Sequence, residues 1–414
     1  AIQASNAFVP IIIFPYVLLT VGAENYAAIA VAESIALIAL TFVLFSFEVN
    51  GVSKLVGLNL EKQHKELSKI FSSVLTTRLF LFLICVAVVI LASLLISPVT
   101  FKLLLLWLLV PLSNILQSQF FFLGLERNFE LAVITVTSRV VAVILVYQFV
   151  TVPEDFLLVP LLIGGCYLSG GAVALVYAQI KFKVKLHFIP FREIIHNLRE
   201  GKSIFVGNLS VVFMRDFNLI ILSIFAVNPS AIAAYSIAEK IIKGLQATVR
   251  PLNRFFYPKA VRRLKIYTTP CKESFRVIRG LTLVQLGALF LGSTLIAIAY
   301  FIFKDVWFAT GNTQNLQEIE LLILIMLPAI FVGVANYMFG TAGLNNLNSQ
   351  GSYAIFLVVT GSLSFLTSVL LVIWLGHVGA AFSFFISEIV LFSMVFGKYF
   401  VSGNRLFPYF RRCD

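Results

Sequence analysis

Apolar residues in this chain come in long unbroken runs separated by short polar breaks, with no alternation of apolar and polar positions inside them. Reading the runs between breaks predicts spans near residues 5–21, 25–48, 74–96, 100–123, 129–150, 157–180, 203–227, 230–257, 280–303, 319–342, 352–375 and 377–399. Each is close to the roughly 20 residues that cross about 30 Å of hydrocarbon. In lipid only helices and closed barrels satisfy every backbone polar group, and barrel strands would alternate. The expected fold is an all-α membrane protein of about twelve transmembrane helices in two six-helix lobes around a central cavity.

Composition agrees. Of 414 residues 60% are hydrophobic and 12% charged, against roughly 25% charged in soluble domains. The chain opens Ala1-Ile2-Gln3 beside the first apolar run, so the start of that helix is expected to precede it. Pro10, Pro15 and Tyr16 inside the run argue against a cleaved signal peptide.

Basic residues fall on one side of the predicted spans. That side receives Lys54 to Lys69, Arg78, Arg127, the segment Lys181 to Lys202, the segment Lys259 to Arg279, and Lys398 to Arg412; the other receives Lys102 and Lys304. The asymmetry places both termini in the cytoplasm. It also accounts for most of the +12 net charge, which removes the case for a nucleic-acid partner and leaves membrane lipids as the natural counterpart. The basic segment divides six spans from six, giving a lobe at 1–180, a linker at 181–202, a lobe at 203–402 and a basic cytoplasmic tail at 403–414. Ala32-Glu33-Ser34-Ile35 recurs as Ala238-Glu239-Lys240-Ile241, and Gly124-Leu125 as Gly343-Leu344, which is consistent with duplicated lobes.

Soluble-enzyme chemistry is absent from the sequence. Gly201-Lys202-Ser203 ends like a phosphate-binding loop, but His196 stands where the motif requires glycine. His64, His187, His196 and His377 show no metal spacing, so neither a metal nor a cofactor is expected. Cys85 and Cys166 lie in apolar runs, Cys271 and Cys413 in basic segments, a pattern of incidental thiols rather than a disulfide framework.

Charges at membrane depth are the informative exceptions, because each costs about 3 kcal/mol unless it meets a partner or water. Arg139, Arg215, Lys243 and Glu388 fall near the midpoints of spans five, seven, eight and twelve. Glu239, Lys243, Gln246, Arg250 and Arg254 share one helical stripe, which cannot face lipid. With Lys240 alongside, and Asn208, Arg215, Asp216, Asn114, Gln117 and Gln119 on neighbouring spans, the simplest assembly is a water-filled cavity with a net positive wall. Two plainer readings stand beside it. Arg250 and Arg254 lie near the cytoplasmic end, where they can snorkel. Glu239 with Lys240, and Arg215 with Asp216, can be local ion pairs that hold helices together. Glu33 reads as a packing group near the external end. A positive cavity favours an anionic passenger, and guanidinium suits phosphate oxygens.

Several stretches resemble the O-antigen and polysaccharide-unit flippases of the multidrug/oligosaccharidyl-lipid/polysaccharide exporter superfamily. They include Pro15-Tyr16, Val21-Gly22-Ala23-Glu24-Asn25-Tyr26, Leu67-Ser68-Lys69-Ile70-Phe71, Phe120 to Glu126 and Arg139-Val140. In the second lobe Ala234 to Ile241, Pro251-Leu252-Asn253 and Phe256-Tyr257-Pro258 continue the match. The resemblance implies a non-enzymatic transporter in the bacterial inner membrane. It would carry an undecaprenyl-pyrophosphate-linked oligosaccharide to the periplasmic leaflet by alternating access, beside polysaccharide polymerase and chain-length machinery. Arg139, Arg215, Lys240, Lys243, Arg250 and Arg254 are then the candidate substrate-binding groups. Glu388 is the first candidate for a coupling ion, with Asp216 and Glu239 behind it. A drug antiporter of the same superfamily and a non-transporting scaffold are the alternatives.

Overall fold

The computed structural model describes residues 2–56, 58, 63–92, 94, 97–225, 228–307 and 313–400, without the side chains of 2–8, 248, 250, 254, 295–307 and 313–316. Among the described residues there are helices and connecting turns and no strand. The chain forms two compact units, Ala1–Val212 and Phe213–Asp414. The first contains α1 (Ile2–Leu44), α2 (Phe47–Leu55), α3 (His64–Ala92), α4 (Pro98–Trp107), α5 (Leu109–Gln117), α6 (Gln119–Gly124), α7 (Asn128–Phe149), α8 (Leu158–Lys181) and most of α9 (Phe191–Arg215). The second contains α10 (Asn218–Phe225), α11 (Pro229–Leu264), α12 (Lys272–Trp307), α13 (Thr313–Met326), α14 (Pro328–Asn336) and α15 (Gln350–Phe400).

Eight described helical stretches are long and apolar enough to cross a membrane, or nine if α9 and α10, bent by 49°, make one span. Their outward residues confirm the solvent. Leu83, Val88 and Leu91 of α3, and Leu366, Leu370 and Trp374 of α15, are exposed, an arrangement that water would penalise and lipid accepts. The chain is therefore a multi-pass helical membrane protein.

Two of these stretches are each a pair of antiparallel helices. The rings of Phe14 and Tyr26 meet edge-on at 6.0 Å, whereas a straight helix would separate them by about 18 Å. The chain folds back at Gly22, whose φ of 79° suits glycine and few other residues. In α15 the Ser383 hydroxyl donates to the Ser364 carbonyl at 3.3 Å, and Thr360 lies 3.6 Å from the Met394 sulfur. There the reversal is at Gly376, φ 59°, and a Cβ on Gly379 would collide with the Leu371 carbonyl. The short breaks between predicted spans 1 and 2, and 11 and 12, are thus glycine turns.

The core of the first unit is aromatic. Phe71, Phe120, Phe121 and Phe122 are fully buried, with Phe182 and Val184 packed beside them. Ser118, in the left-handed region at φ 45°, breaks α5 from α6 and turns all three phenylalanines inward. Arg78 is fully buried among them, 5.0 Å from the Phe120 ring and paired with Glu48 at 2.8 Å.

The segment between α8 and α9 belongs with this unit. The Lys185 amide donates to Ser68 Oγ, the His187 amide to Ser72 Oγ, and Asn197 Nδ2 to Ser73 Oγ and Thr77 Oγ1. Asn208 Nδ2 donates to the Phe45 carbonyl at 2.9 Å, Lys54 pairs with Glu200, and Gly201 lies so close to Ser46 that no Cβ fits. The boundary between compact units is consequently at Val212, inside α9, rather than in the basic linker. The same packing explains Gly201-Lys202-Ser203 without phosphate.

In the second unit Met338, Phe339, Leu344, Leu391 and Tyr399 form the core. Residues 337–341 form a single π-turn following α14, and Tyr399 Oη donates into it, to the Phe339 carbonyl at 2.8 Å. Cys85 and Cys166 are free thiols. Cys271 is disulfide-bonded, which corrects the expectation of an incidental thiol at that position.

Candidate functional site

The second unit brings most of the expected charges together. Glu388, on the second half of α15, is completely buried. Its Oε1 accepts from Arg215 Nε at 2.9 Å and from Nη2 at 2.5 Å. Its Oε2 accepts from Asn336 Nδ2 at 2.7 Å, and the same amide donates to the Glu388 carbonyl at 2.9 Å. Gly333, one turn before Asn336, faces the carboxylate, and a Cβ there would meet it in ordinary contact at 3.7 Å. Arg215 ends α9, Asn336 ends α14, and the carboxylate between them ties three helices.

A second group adjoins the first in sequence. Lys243 Nζ pairs with Asp216 Oδ1 at 2.6 Å and with Glu239 Oε1 at 3.1 Å. Asp216 sits in the turn between α9 and α10, and Glu239 is one helical turn before Lys243 on α11. Tyr235 is fully buried beside Asn218 and within electrostatic reach of Asp216 and Glu239. Lys240 Nζ donates to Ser236 Oγ at 3.3 Å. Further along the stripe Asn253 accepts from Gln285 of α12. Gln285, fully buried, was not among the residues singled out from sequence.

These pairings correct two expectations. Arg215 and Asp216 bond different helices rather than each other: Arg215, the last residue of α9, reaches Glu388 of α15, while Asp216, in the turn that follows, reaches Lys243 of α11. Nor does the cluster carry the net positive charge expected of the wall. Arg215, Lys240 and Lys243 are matched in number by Asp216, Glu239 and Glu388, so this cluster has no net formal charge. What survives is an asymmetry of exposure. The side chains of Arg215 and Lys243 are each 33% exposed, while Glu388 is 0%, Glu239 4% and Asp216 28% exposed. Arg215 thus presents its edge with its acid behind it, whereas Lys243 shares its exposed edge with Asp216.

Arg139 belongs to the other unit. It is buried, and its guanidinium stands 5.1 Å from the centre of the Tyr167 ring. Glu33 is buried as well and acts electrostatically on the same tyrosine, so it joins the Arg139 group rather than marking an external end. The uncharged polar residues expected on the cavity wall have structural partners: Asn114 donates to the Val110 carbonyl, Gln117 to Thr135 Oγ1, and Asn208 to Phe45. The side chains of Arg250 and Arg254 lie outside the described residues. Among the described residues no group of three or more His, Cys, Asp and Glu is arranged to hold a metal.

Two helical units with charge clusters inside apolar, membrane-length helices define a class, the multi-pass helical membrane proteins. The fold is that of an inward-facing multidrug resistance MATE family transporter of the MOP superfamily, with a TM-score of 0.61 at 15% identity over 96% of this chain and 94% of that one. It is equally that of the lipid II flippase MurJ in an inward closed conformation, with a TM-score of 0.60 at 13% identity over 96% and 86%. Residues 1–261 match the family of polysaccharide biosynthesis proteins, and the chain belongs to that family. It is 22% identical over 413 residues to a protein of Escherichia coli strain K12 named provisionally as an O-antigen transporter, covering 98% of this chain and 95% of that one. A protein of Shigella dysenteriae with the same provisional name is 22% identical over 72% of this chain and 75% of its own.

Proposed function

We propose that the chain translocates a lipid-linked oligosaccharide, the repeat unit of a surface polysaccharide, between the leaflets of a bacterial inner membrane. The observation that carries the reading is the exposure asymmetry of one pair: Arg215 offers a cationic edge while Glu388 behind it is withdrawn, with Lys243 exposed nearby beside Asp216. A pyrophosphate joining sugar to polyprenol is an anion whose oxygens match guanidinium geometry, and undecaprenyl pyrophosphate is the carrier we assign. Arg139 and Lys240 extend the binding groups, with Arg250 and Arg254 further along α11. Membership of the polysaccharide biosynthesis family and the relatives' names support the substrate class.

The membrane path rests on twelve crossings. α1 and α15 supply two each, α9 with α10 one, and α11 crosses despite its charges because they meet partners inside the protein. Basic loops put both termini in the cytoplasm, with polymerase and chain-length enzymes as the neighbours. Glu388 is the coupling group we favour, ahead of Asp216 and Glu239. When substrate phosphate takes Arg215, a buried carboxylate loses its cation, a costly state that binding a proton relieves. Transport would then draw on the proton gradient as the lobes alternate.

Deleting the gene tests the reading. The deletion strain should accumulate a lipid-linked oligosaccharide on the cytoplasmic side and lose surface polysaccharide, with drug sensitivity unchanged. Altered drug sensitivity with normal polysaccharide would instead favour a drug antiporter.

A further inference from the structure

A surface outside the charge clusters has the makings of a lipid site. Residues 181–192 read Lys-Phe-Lys-Val-Lys-Leu-His-Phe-Ile-Pro-Phe-Arg, with four permanent cations and no acid. The strap is firmly placed. Phe182, Val184 and Ile189 are buried, and backbone amides of Lys185 and His187 are held by Ser68 and Ser72 of α3. The remaining side chains face outward: Lys181, Lys183, Lys185, His187 and Arg192 are exposed, as are Leu186, Phe188 and Phe191, with Phe188 95% exposed. Lys181, Lys183, Lys185 and Arg192 form no ion pair among the described residues.

The position of the strap along α3 fixes its depth. Ser68 and Ser72 precede the apolar part of α3, which begins at Val74, so Lys185 and His187 sit at headgroup level. Phe191 meets Phe80 edge-on at 5.6 Å, on the apolar side of Ser72 along α3. The strap therefore runs from the headgroups to the edge of the hydrocarbon, carrying lysines and bare aromatic or aliphatic groups together. Water alone would not favour Leu186 and Phe188 on that face; a lipid surface takes both kinds of group at once.

Lys183 adds an independent sign. It follows the end of α8 with φ 53°, the left-handed position that glycine fills without strain. A lysine there costs stability and keeps a third cation on the outward face.

We propose that residues 181–192 form a binding surface for acidic phospholipid, with Lys181, Lys183 and Lys185 engaging the headgroup phosphate and Leu186 and Phe188 entering the acyl chains. The occupant is bulk anionic lipid of the leaflet at this end of α3, and the inference is independent of which oligosaccharide the protein carries.

The full chain carrying Phe188→Trp, reconstituted in vesicles, reports on both parts through tryptophan quenching by brominated acyl chains, with the unsubstituted chain as background. Brominated phosphatidylglycerol should quench more strongly than brominated phosphatidylcholine. Replacing Lys181, Lys183 and Lys185 by Gln should abolish that preference, at about fivefold in lipid affinity per lysine. Lys183→Gly alone should raise thermal stability yet weaken the preference, which separates lipid binding from folding. Equal quenching by both lipids would overturn the headgroup assignment. No quenching by either would leave the strap facing water or a soluble partner and overturn the proposal.

Discussion

Arg215 gives two of its nitrogens to a single oxygen of Glu388, and Asn336 holds the other oxygen. The carboxylate is fully enclosed and the guanidinium is not. Such a pair is a structural tie and, on the proposed function, a loaded binding group as well; variants separate the two roles. Arg215→Ala should destabilise the protein by about 3–5 kcal/mol, because it strands a buried carboxylate. A double replacement of Arg215 and Glu388 by Met should recover most of that stability while transport stays lost. Thermal melting of purified variants, beside surface-polysaccharide complementation in cells, checks both. Recovery of transport by the double variant would reduce the pair to structure.

Glu388→Gln keeps the shape and the bond from Asn336 while removing the charge. On the coupling assignment this variant should bind and exchange substrate in proteoliposomes but ignore an imposed pH gradient. Transport that follows the gradient as the parent does would take Glu388 out of coupling.

Lys243 bridges two acids, so Lys243→Gln removes the one cation that bonds both Asp216 and Glu239. A melting temperature below the parent's is expected, by less than for Arg215→Ala since Asp216 is 28% exposed and can hydrate. Adding Asp216→Asn should restore part of the loss. An additive loss in the double variant would mean that the two residues do not interact.

Much of this was legible in the sequence. Run length and polarity gave a helical membrane protein, and the depth of Arg215, Lys243 and Glu388 marked them for attention. Partner choice was not legible, because it depends on which helices meet: Glu388 is 173 positions from Arg215. The depth of Glu33 was misread for a similar reason, since only packing of α1 near α8 brings it to Tyr167. Uncharged polar residues misled in the other direction. Asn114, Gln117 and Asn208 looked like a cavity lining, yet each satisfies a helix or a neighbouring hydroxyl.

The reversal in α15 has a local requirement. Gly379→Ala places a Cβ against the Leu371 carbonyl, a backbone overlap that a side-chain adjustment cannot relieve. The cost should be at least about 1–3 kcal/mol, read as lower yield and melting temperature, whereas Gly397→Ala, with open space around it, should be neutral.

Orientation is testable with impermeant thiol reagents. Asn197 is a poor probe because it is buried against Ser73 and Thr77, but Arg199 is exposed. A cysteine introduced there should react only after the cytoplasmic face is opened. Labelling in intact cells would invert the topology.

The central claim is movement of a lipid-linked oligosaccharide, and translocation in proteoliposomes tests it most directly. Purified full-length protein is reconstituted with undecaprenyl-pyrophosphate-linked oligosaccharide placed in one leaflet, and arrival of the sugar in the other is followed with a sugar-modifying enzyme that cannot cross. The account predicts transfer well above that of protein-free vesicles, abolished by Arg215→Ala in protein that is still folded. Transfer no faster than in protein-free vesicles, or equal transfer by Arg215→Ala, would contradict it.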